Sequence, residues 1–100
     1  MTVRHVVTWK MAATDPAERT EHAAGVASRL EGLVGVVPSI RALTTGVNTL
    51  AIEGNWDVTL IADFDDAAGL DAYQVHPAHQ EVVGYVRSVS GGRSAVDFEV

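Results

Sequence analysis

The segment from Ala72 to His79 holds the side chains best suited to chemistry. It contains two of the four histidines, His76 and His79, and one of the two tyrosines, Tyr73. A neutral imidazole can take a proton from a substrate, and a phenol can donate a hydrogen bond to an oxygen that gains negative charge. The segment therefore offers His79 as a candidate general base.

Pro77 determines how these side chains are presented. Proline lacks a backbone N–H and disfavours the α conformation in the preceding residue, so we expect one helix to end near Val75 and a second to begin at Pro77. His79 then lies in the first turn, where the positive end of the helix dipole favours a neutral imidazole. The structural alternative is that His76 ends a helix and His79 is a partly buried packing residue.

The composition limits the classes of function. One hundred residues, 47% of them hydrophobic, predict a single domain over residues 1–100 with a small core. A net charge of −6 with seven scattered Lys and Arg argues against a nucleic-acid partner. The absence of cysteine excludes disulfides and thiolate sites. No apolar stretch reaches the roughly 20 residues of a membrane span, and we expect a cytoplasmic protein without membrane contact.

The rest of the chain alternates strand and helix patterns that position this segment. Residues 2–11 alternate as a half-buried strand, and an Asp15-Pro16 start leads into a helix that ends near Gly32–Gly35. Extended stretches follow at 40–47 and 56–64. After the broken helix, Ser90-Gly91-Gly92 is expected to end the helical region, and residues 94–100 to form the last strand.

This order predicts an α+β, ferredoxin-like β-α-β-β-α-β fold whose four-stranded antiparallel sheet has helices on one side. The buried face of the first strand is predicted to carry His5 among apolar residues. We expect Val6, Ile61 and Ala95 on the other face, with Val96, Phe98 and Val100 pointing away from Ala95. A half-apolar open face favours a homodimer packed through the sheets.

Several sequence elements along the whole chain resemble one known family. They are His5-Val6-Val7, Val37-Pro38-Ser39-Ile40, Asp63-Phe64-Asp65-Asp66, the Ala72–His79 segment and Val96-Asp97-Phe98-Glu99. Together they resemble the stress-responsive A/B barrel domain, or Dabb, family of dimeric α/β barrels. The resemblance implies a homodimeric barrel with a pocket for a small apolar or polyketide-like ligand. In a plant polyketide cyclase of this family, the catalytic tyrosine and histidine fall on Tyr73 and His79, and His5 occupies a matching pocket position.

The resemblance also implies a set of pocket and metal positions. The expected pocket residues are Val7, Trp9, Val58, Leu60, His76, Val82 and Val83. A further pocket histidine of the cyclase falls on Val58, and its bulky aromatics fall on small residues such as Ala23 and Val82, which implies a different substrate. No organic cofactor is implied, but some members hold Mg²⁺ on backbone carbonyls that correspond to Val34, Val37 and Ile40.

The sequence leaves three functions open. The first is a cofactor-free cyclase or lyase acting on a polyketide-like or β-dicarbonyl substrate. The second is a non-catalytic, stress-related or ligand-binding dimer, in which Tyr73 and His79 form a hydrogen-bonded pair that holds the broken helix. The third is a haem-degrading or quinol-type monooxygenase, since such enzymes share the dimeric barrel.

Overall fold

The computed structural model describes residues 1–100 and has seven helices and strands. They are β1 (Val3–Met11), α1 (Pro16–Glu31), β2 (Ala42–Val47), β3 (Val58–Phe64), α2 (Ala67–Val75), α3 (Pro77–Val89) and β4 (Ser90–Glu99). The strands form one antiparallel sheet in the order β2-β3-β1-β4. The predicted ferredoxin-like α+β fold is therefore confirmed. No helix is long and apolar enough to cross a membrane.

Side chains cap all three helices where the sequence changes from extended to helical. The Asp15 carboxylate accepts a hydrogen bond from the Glu18 N–H at 3.0 Å, and Pro16 follows at the first helical position. Asp66 caps α2 in the same way. The predicted break occurs at Pro77, because α2 ends at Val75 and α3 begins at Pro77.

The core lies between the helices and one face of the sheet. Alternate residues of β1 and β3 are buried, as expected for strands with one covered face. The largest fully buried side chains include Tyr73 and Phe64, and His5, which is 4% exposed, is the one buried polar residue. The buried His5 ring needs a hydrogen-bond partner, so it is the residue of the core to consider for a functional role.

The predicted side-chain directions on the last strand were wrong. The strand begins at Ser90, directly after α3, and its register pairs Val7 with Ala95 and Val6 with Val96. Directly paired residues of antiparallel strands share a face, so Ala95 lies on the helix-covered face and Val96 on the open one. Gly91 allows this early start, because a Cβ there would lie 3.3 Å from the Ala12 Cα.

Four apolar side chains lie together on the open face, and we call them the open-face patch: Val6, Ile61, Val96 and Phe98. Ile61, Val96 and Phe98 are 39%, 60% and 43% exposed. Val6 and Ile61 lie where the sequence predicted them. The patch leaves one side of the sheet partly apolar and uncovered within a single chain.

Candidate active site

A cavity of about 530 Å³ opens between α3 and the β1–β4 side of the sheet. Its volume lies within the range of about 300–1,000 Å³ that is usual for small-molecule sites. Eight of the residues expected from the sequence line it: His5, Val7, Trp9, Leu60, Tyr73, His79, Val82 and Val83. Other lining residues are Leu30, Gln74, Gln80, Val86, Arg87, Ser90, Gly91, Gly92 and Arg93.

Two residues expected in the pocket do not line this cavity. Val58 is buried in the apolar core at the start of β3, and it lines a second cavity instead. His76 is the N-cap of α3, where its Nδ1 accepts a hydrogen bond from the Ala78 N–H at 3.1 Å. Capping the helix holds this imidazole at the helix end, so the expectation that it faces the ligand is corrected.

Tyr73 supplies a buried phenol with no partner. The residue is fully buried, its ring lies 5.1 Å from that of Phe64, and its hydroxyl has no hydrogen-bond partner in the chain. Burial disfavours the phenolate and raises the pKa of Tyr73 to about 12, although the positive charge of Arg93 acts in the opposite direction. At neutral pH the hydroxyl is therefore protonated and available to donate.

His79 supplies an imidazole with a defined tautomer. Its Nδ1 lies 3.1 Å from the backbone oxygen of Gln74. A carbonyl only accepts, so Nδ1 carries the proton and Nε2 of the neutral ring is an acceptor. Burial lowers the pKa of His79, and the nearby His5, Arg93 and His76 lower it further, against the effect of the Gln74 carbonyl. The neutral form therefore dominates at neutral pH.

The rings of His79, Tyr73 and His5 lie next to one another around the cavity. The Tyr73 and His79 centroids are 4.2 Å apart with the rings inclined by 44°, and His5 meets Tyr73 edge-on at 6.3 Å. The His5 Nδ1 donates to the carboxylate of Asp97 on β4. This contact orients the His5 ring and leaves its Nε2 for a ligand.

Three charged residues around the site were not predicted from the sequence: Asp97, which orients His5, and Arg87 and Arg93, which line the cavity. Asp97 and Arg93 both come from β4. Only the register of that strand brings them onto the covered face, opposite His5 and Trp9. The one available signal was their spacing of four residues, which places them on the same face of a strand.

The carbonyls expected to hold Mg²⁺ lie in the loop after α1. The Val37 oxygen already accepts a hydrogen bond from the Ile40 N–H at 3.3 Å, and Val34 is exposed. The Arg41 guanidinium donates to the neighbouring Pro38 carbonyl at 3.0 Å. Two carbonyls of this loop thus already accept hydrogen bonds, and the Mg²⁺ site at Val34, Val37 and Ile40 stays a prediction. The protein also contains no cluster of three His, Asp or Glu side chains able to hold a metal.

A second cavity, of about 610 Å³, lies beside the loop between β2 and β3. Thr8, Thr59 and Ser94 line it from the open face of the sheet, together with Asn48 and Asn55. None of its lining residues is acidic, basic or histidine. It therefore offers no group for proton transfer, and the cavity with Tyr73 and His79 is the candidate active site.

Comparison with known proteins identifies a matching family model and solved structures of similar fold. A family model described as Stress responsive A/B Barrel Domain matches residues 3–100. A dimeric ferredoxin-like protein of unknown function from Thermobifida fusca is 27% identical, with a TM-score of 0.84 over 100% of this chain and 92% of that one. A dimeric protein of unknown function from Bacteroides fragilis is 24% identical, with a TM-score of 0.89 over 99% and 96%.

The same fold occurs in an enzyme. The hydroxynitrile lyase from Passiflora edulis is 11% identical, with a TM-score of 0.81 over 99% of this chain and 93% of that one. At this identity the likeness shows the fold alone. No curated protein sequence matches this chain.

Proposed function

The chain belongs to the stress-responsive A/B barrel domain family, and we propose that it is a cofactor-free lyase or cyclase for β-dicarbonyl or polyketide-like substrates. In this proposal His79 removes a proton next to a carbonyl and Tyr73 stabilises the enolate. The family itself fixes no activity, since the relatives from T. fusca and B. fragilis have no known function. The proposal therefore depends on the cavity and its three rings.

The observation that carries the proposal is the unpartnered Tyr73 hydroxyl beside a neutral imidazole. An unpaired buried hydroxyl costs about 1–3 kcal/mol. A ligand carbonyl in the cavity would accept its hydrogen bond and remove that cost. The hydrogen-bonded pair of Tyr73 and His79 expected for a purely structural role is absent, because the phenol has no partner and His79 bonds Gln74 instead.

The proposed reaction has two steps that conserve charge. His79 Nε2 takes a proton from the carbon between two carbonyl groups, and the electron pair moves onto the carbonyl oxygen as an enolate. Tyr73 donates a hydrogen bond to that oxygen, where negative charge develops. The enolate carbon then attacks a second carbonyl of the same substrate molecule, and the imidazolium of His79 returns its proton to the new alkoxide. A lyase reaction runs through the same enolate in the reverse direction.

His5 acts as a positioning residue for the ligand in this scheme. Its Nδ1 is held by Asp97, so a ligand meets only Nε2. A positioned histidine fixes which carbonyl reaches Tyr73.

The active protein is proposed to be a homodimer joined through the open-face patch. Two relatives are dimeric. Pairing the open faces of two copies would cover Val6, Ile61, Val96 and Phe98, and a two-fold dimer places the same patch on both sides. The cavity lies on the helix-covered face, so each protomer would keep its own site.

The test is exchange of the acidic protons of ethyl benzoylacetate with deuterium, followed by NMR. The wild-type protein is expected to accelerate exchange, and His79→Gln to lose about 10²-fold or more of that acceleration, the usual contribution of a general base. Glutamine can still donate to the Gln74 carbonyl, so the fold is retained. His22→Gln, the same change at a histidine outside the cavity, is the control and keeps the wild-type rate.

The outcomes separate the alternatives. No acceleration by the wild-type protein, together with calorimetrically measured binding of the ester, would favour a ligand-binding dimer. Equal rates for wild type and His79→Gln would remove His79 as the base. A haem-degrading or quinol-type monooxygenase remains without a supporting observation in this cavity.

A further inference from the structure

We propose that the cavity selects ligands that carry an anionic group, held by Arg93 and Arg87. This inference rests on the proposed function and adds a substrate class to it. The sheet supplies Arg93 and the last turn of α3 supplies Arg87. The cavity lining contains these two arginines and two histidines but no aspartate or glutamate. A protein with a net charge of −6 thus has a cavity without a negative side chain.

The other arginines of the chain all have a partner. Arg4, Arg19 and Arg41 form ion pairs with Asp63, Asp57 and Asp65 at 2.8 Å. Arg29 stacks on the ring of Tyr85, with its guanidinium carbon 3.6 Å from the ring centre. Among the arginines, only Arg87 and Arg93 have a guanidinium group with no ion pair, hydrogen bond or ring contact. In an acidic chain, carboxylates are available, so two unpaired guanidinium groups at one cavity indicate a partner that is not part of the chain.

An acidic residue on the same face of β4 forms no ion pair with Arg93. Asp97 follows it by four residues on β4, but its carboxylate is bonded to His5. The positive charge of Arg93 acts on two residues of the cavity, because it lowers the pKa of both Tyr73 and His79. A ligand that places its reacting carbonyl at Tyr73 would then meet the guanidinium groups with its other end.

The chemistry of guanidinium fixes the kind of group. Its planar donors bind carboxylate or phosphate oxygens in pairs, and such charge-assisted bonds are stronger than neutral ones. Such an anionic group has two possible sources: a substrate with a free carboxylate, or a substrate attached to a phosphate-bearing carrier. Both arginines are exposed, so the attraction should weaken with salt.

Calorimetric binding of three matched probes tests the inference. They are ethyl benzoylacetate with a para carboxylate, the same compound with that carboxylate methylated, and the para phosphonate. In wild type we expect a charged probe to bind about tenfold or more tightly than the methylated one, and molar salt to reduce the difference. Tighter binding of carboxylate or of phosphonate identifies which source the site fits.

Variants locate the effect. Arg93→Gln and Arg87→Gln should each lower the ratio of charged to uncharged affinity, whereas Lys10→Gln should leave it unchanged. Lys10 is an exposed cation on the open face, opposite Gly92 and outside the cavity, so it controls for the loss of one charge.

Equal affinities of the charged and methylated probes for wild type would overturn the inference. Deuterium exchange of the methylated probe would then show that the proposed proton transfer still stands. Absence of both exchange and binding for all three probes would refute the proposed function and this inference together.

Discussion

Replacing Tyr73 with phenylalanine should stabilise the protein while it removes activity. The hydroxyl is fully buried and has no hydrogen-bond partner in the chain, so the native state carries most of the desolvation penalty of about 1–3 kcal/mol. Phenylalanine keeps the ring and its contact with Phe64 at 5.1 Å. Subtracting a small loss of packing where the oxygen was, we expect Tyr73→Phe to raise the free energy of unfolding by about 1 kcal/mol.

Thermal unfolding measures this effect. For a domain of this size, about 1 kcal/mol corresponds to a rise in Tm of roughly 4–8 °C. Wild type and variant must be compared at equal protein concentration, because the proposed dimerisation would make Tm depend on concentration. Tyr85→Phe is the matched control, because Tyr85 lies outside the cavity. This substitution should change the free energy of unfolding by no more than about 0.5 kcal/mol.

Activity should change in the opposite direction. Without the hydroxyl, the enolate oxygen loses its donor, and deuterium exchange should fall by about 10²-fold. A variant that is more stable and less active is expected only if the phenol is reserved for a ligand. A lower Tm for Tyr73→Phe would show instead that the hydroxyl is hydrogen-bonded in the native protein and is not reserved for a ligand.

Two further predictions concern pH and assembly. His79 must be neutral to act, and its pKa is lowered below the ordinary 6.5, so kcat/KM should rise with pH along a limb centred below 6.5. Above that limb kcat/KM should stay level, because the pKa of Tyr73 is about 12. A limb centred above 6.5 in the pH–rate profile would contradict this. Val96→Asp should raise the dimer dissociation constant, measured by analytical ultracentrifugation, at least about tenfold, because Arg4 is already paired with Asp63 and cannot compensate a buried carboxylate. The control Thr20→Asp, on the exposed side of α1, should leave the dissociation constant unchanged. A dimer unaffected by Val96→Asp would exclude the sheet interface.

Local chemical signals explain why most of the fold was predictable. Alternation marks β1 and β3 because one face of each strand is buried and the other is not. Asp15-Pro16 and Pro77 mark helix starts because capping and a missing N–H act within one turn. These signals do not depend on distant parts of the chain.

The direction of β4 was not predictable from such signals. From Arg93 onward every residue of this edge strand is exposed, so alternation carries no contrast between its faces. The register with β1 decides the matter, and it depends on a bulge between Lys10 and Met11. A shift of one residue exchanges the two faces of a strand.

The same limitation explains which site residues were missed. Tyr73 and His79 were identified because they are close in sequence and a proline separates their helices. Arg93 reaches the cavity, and Asp97 reaches His5, only through the register of β4. Arg87 was not identified because an arginine near a helix C-terminus is common on surfaces. The expectation for His76 failed because its imidazole caps α3.

The break at Pro77 also determines the chemistry of His79. In a continuous helix the Gln74 carbonyl would accept from the Ala78 N–H, but that N–H instead bonds the His76 side chain. The carbonyl is thereby left for two side chains of α3: the His79 Nδ1 donates to it at 3.1 Å, and the Gln80 Nε2 also donates to it. This bond selects the tautomer with a free Nε2, the nitrogen that a base requires. A single residue without a backbone N–H thus ends one helix, starts the next and determines which nitrogen of the His79 imidazole at the cavity carries the proton.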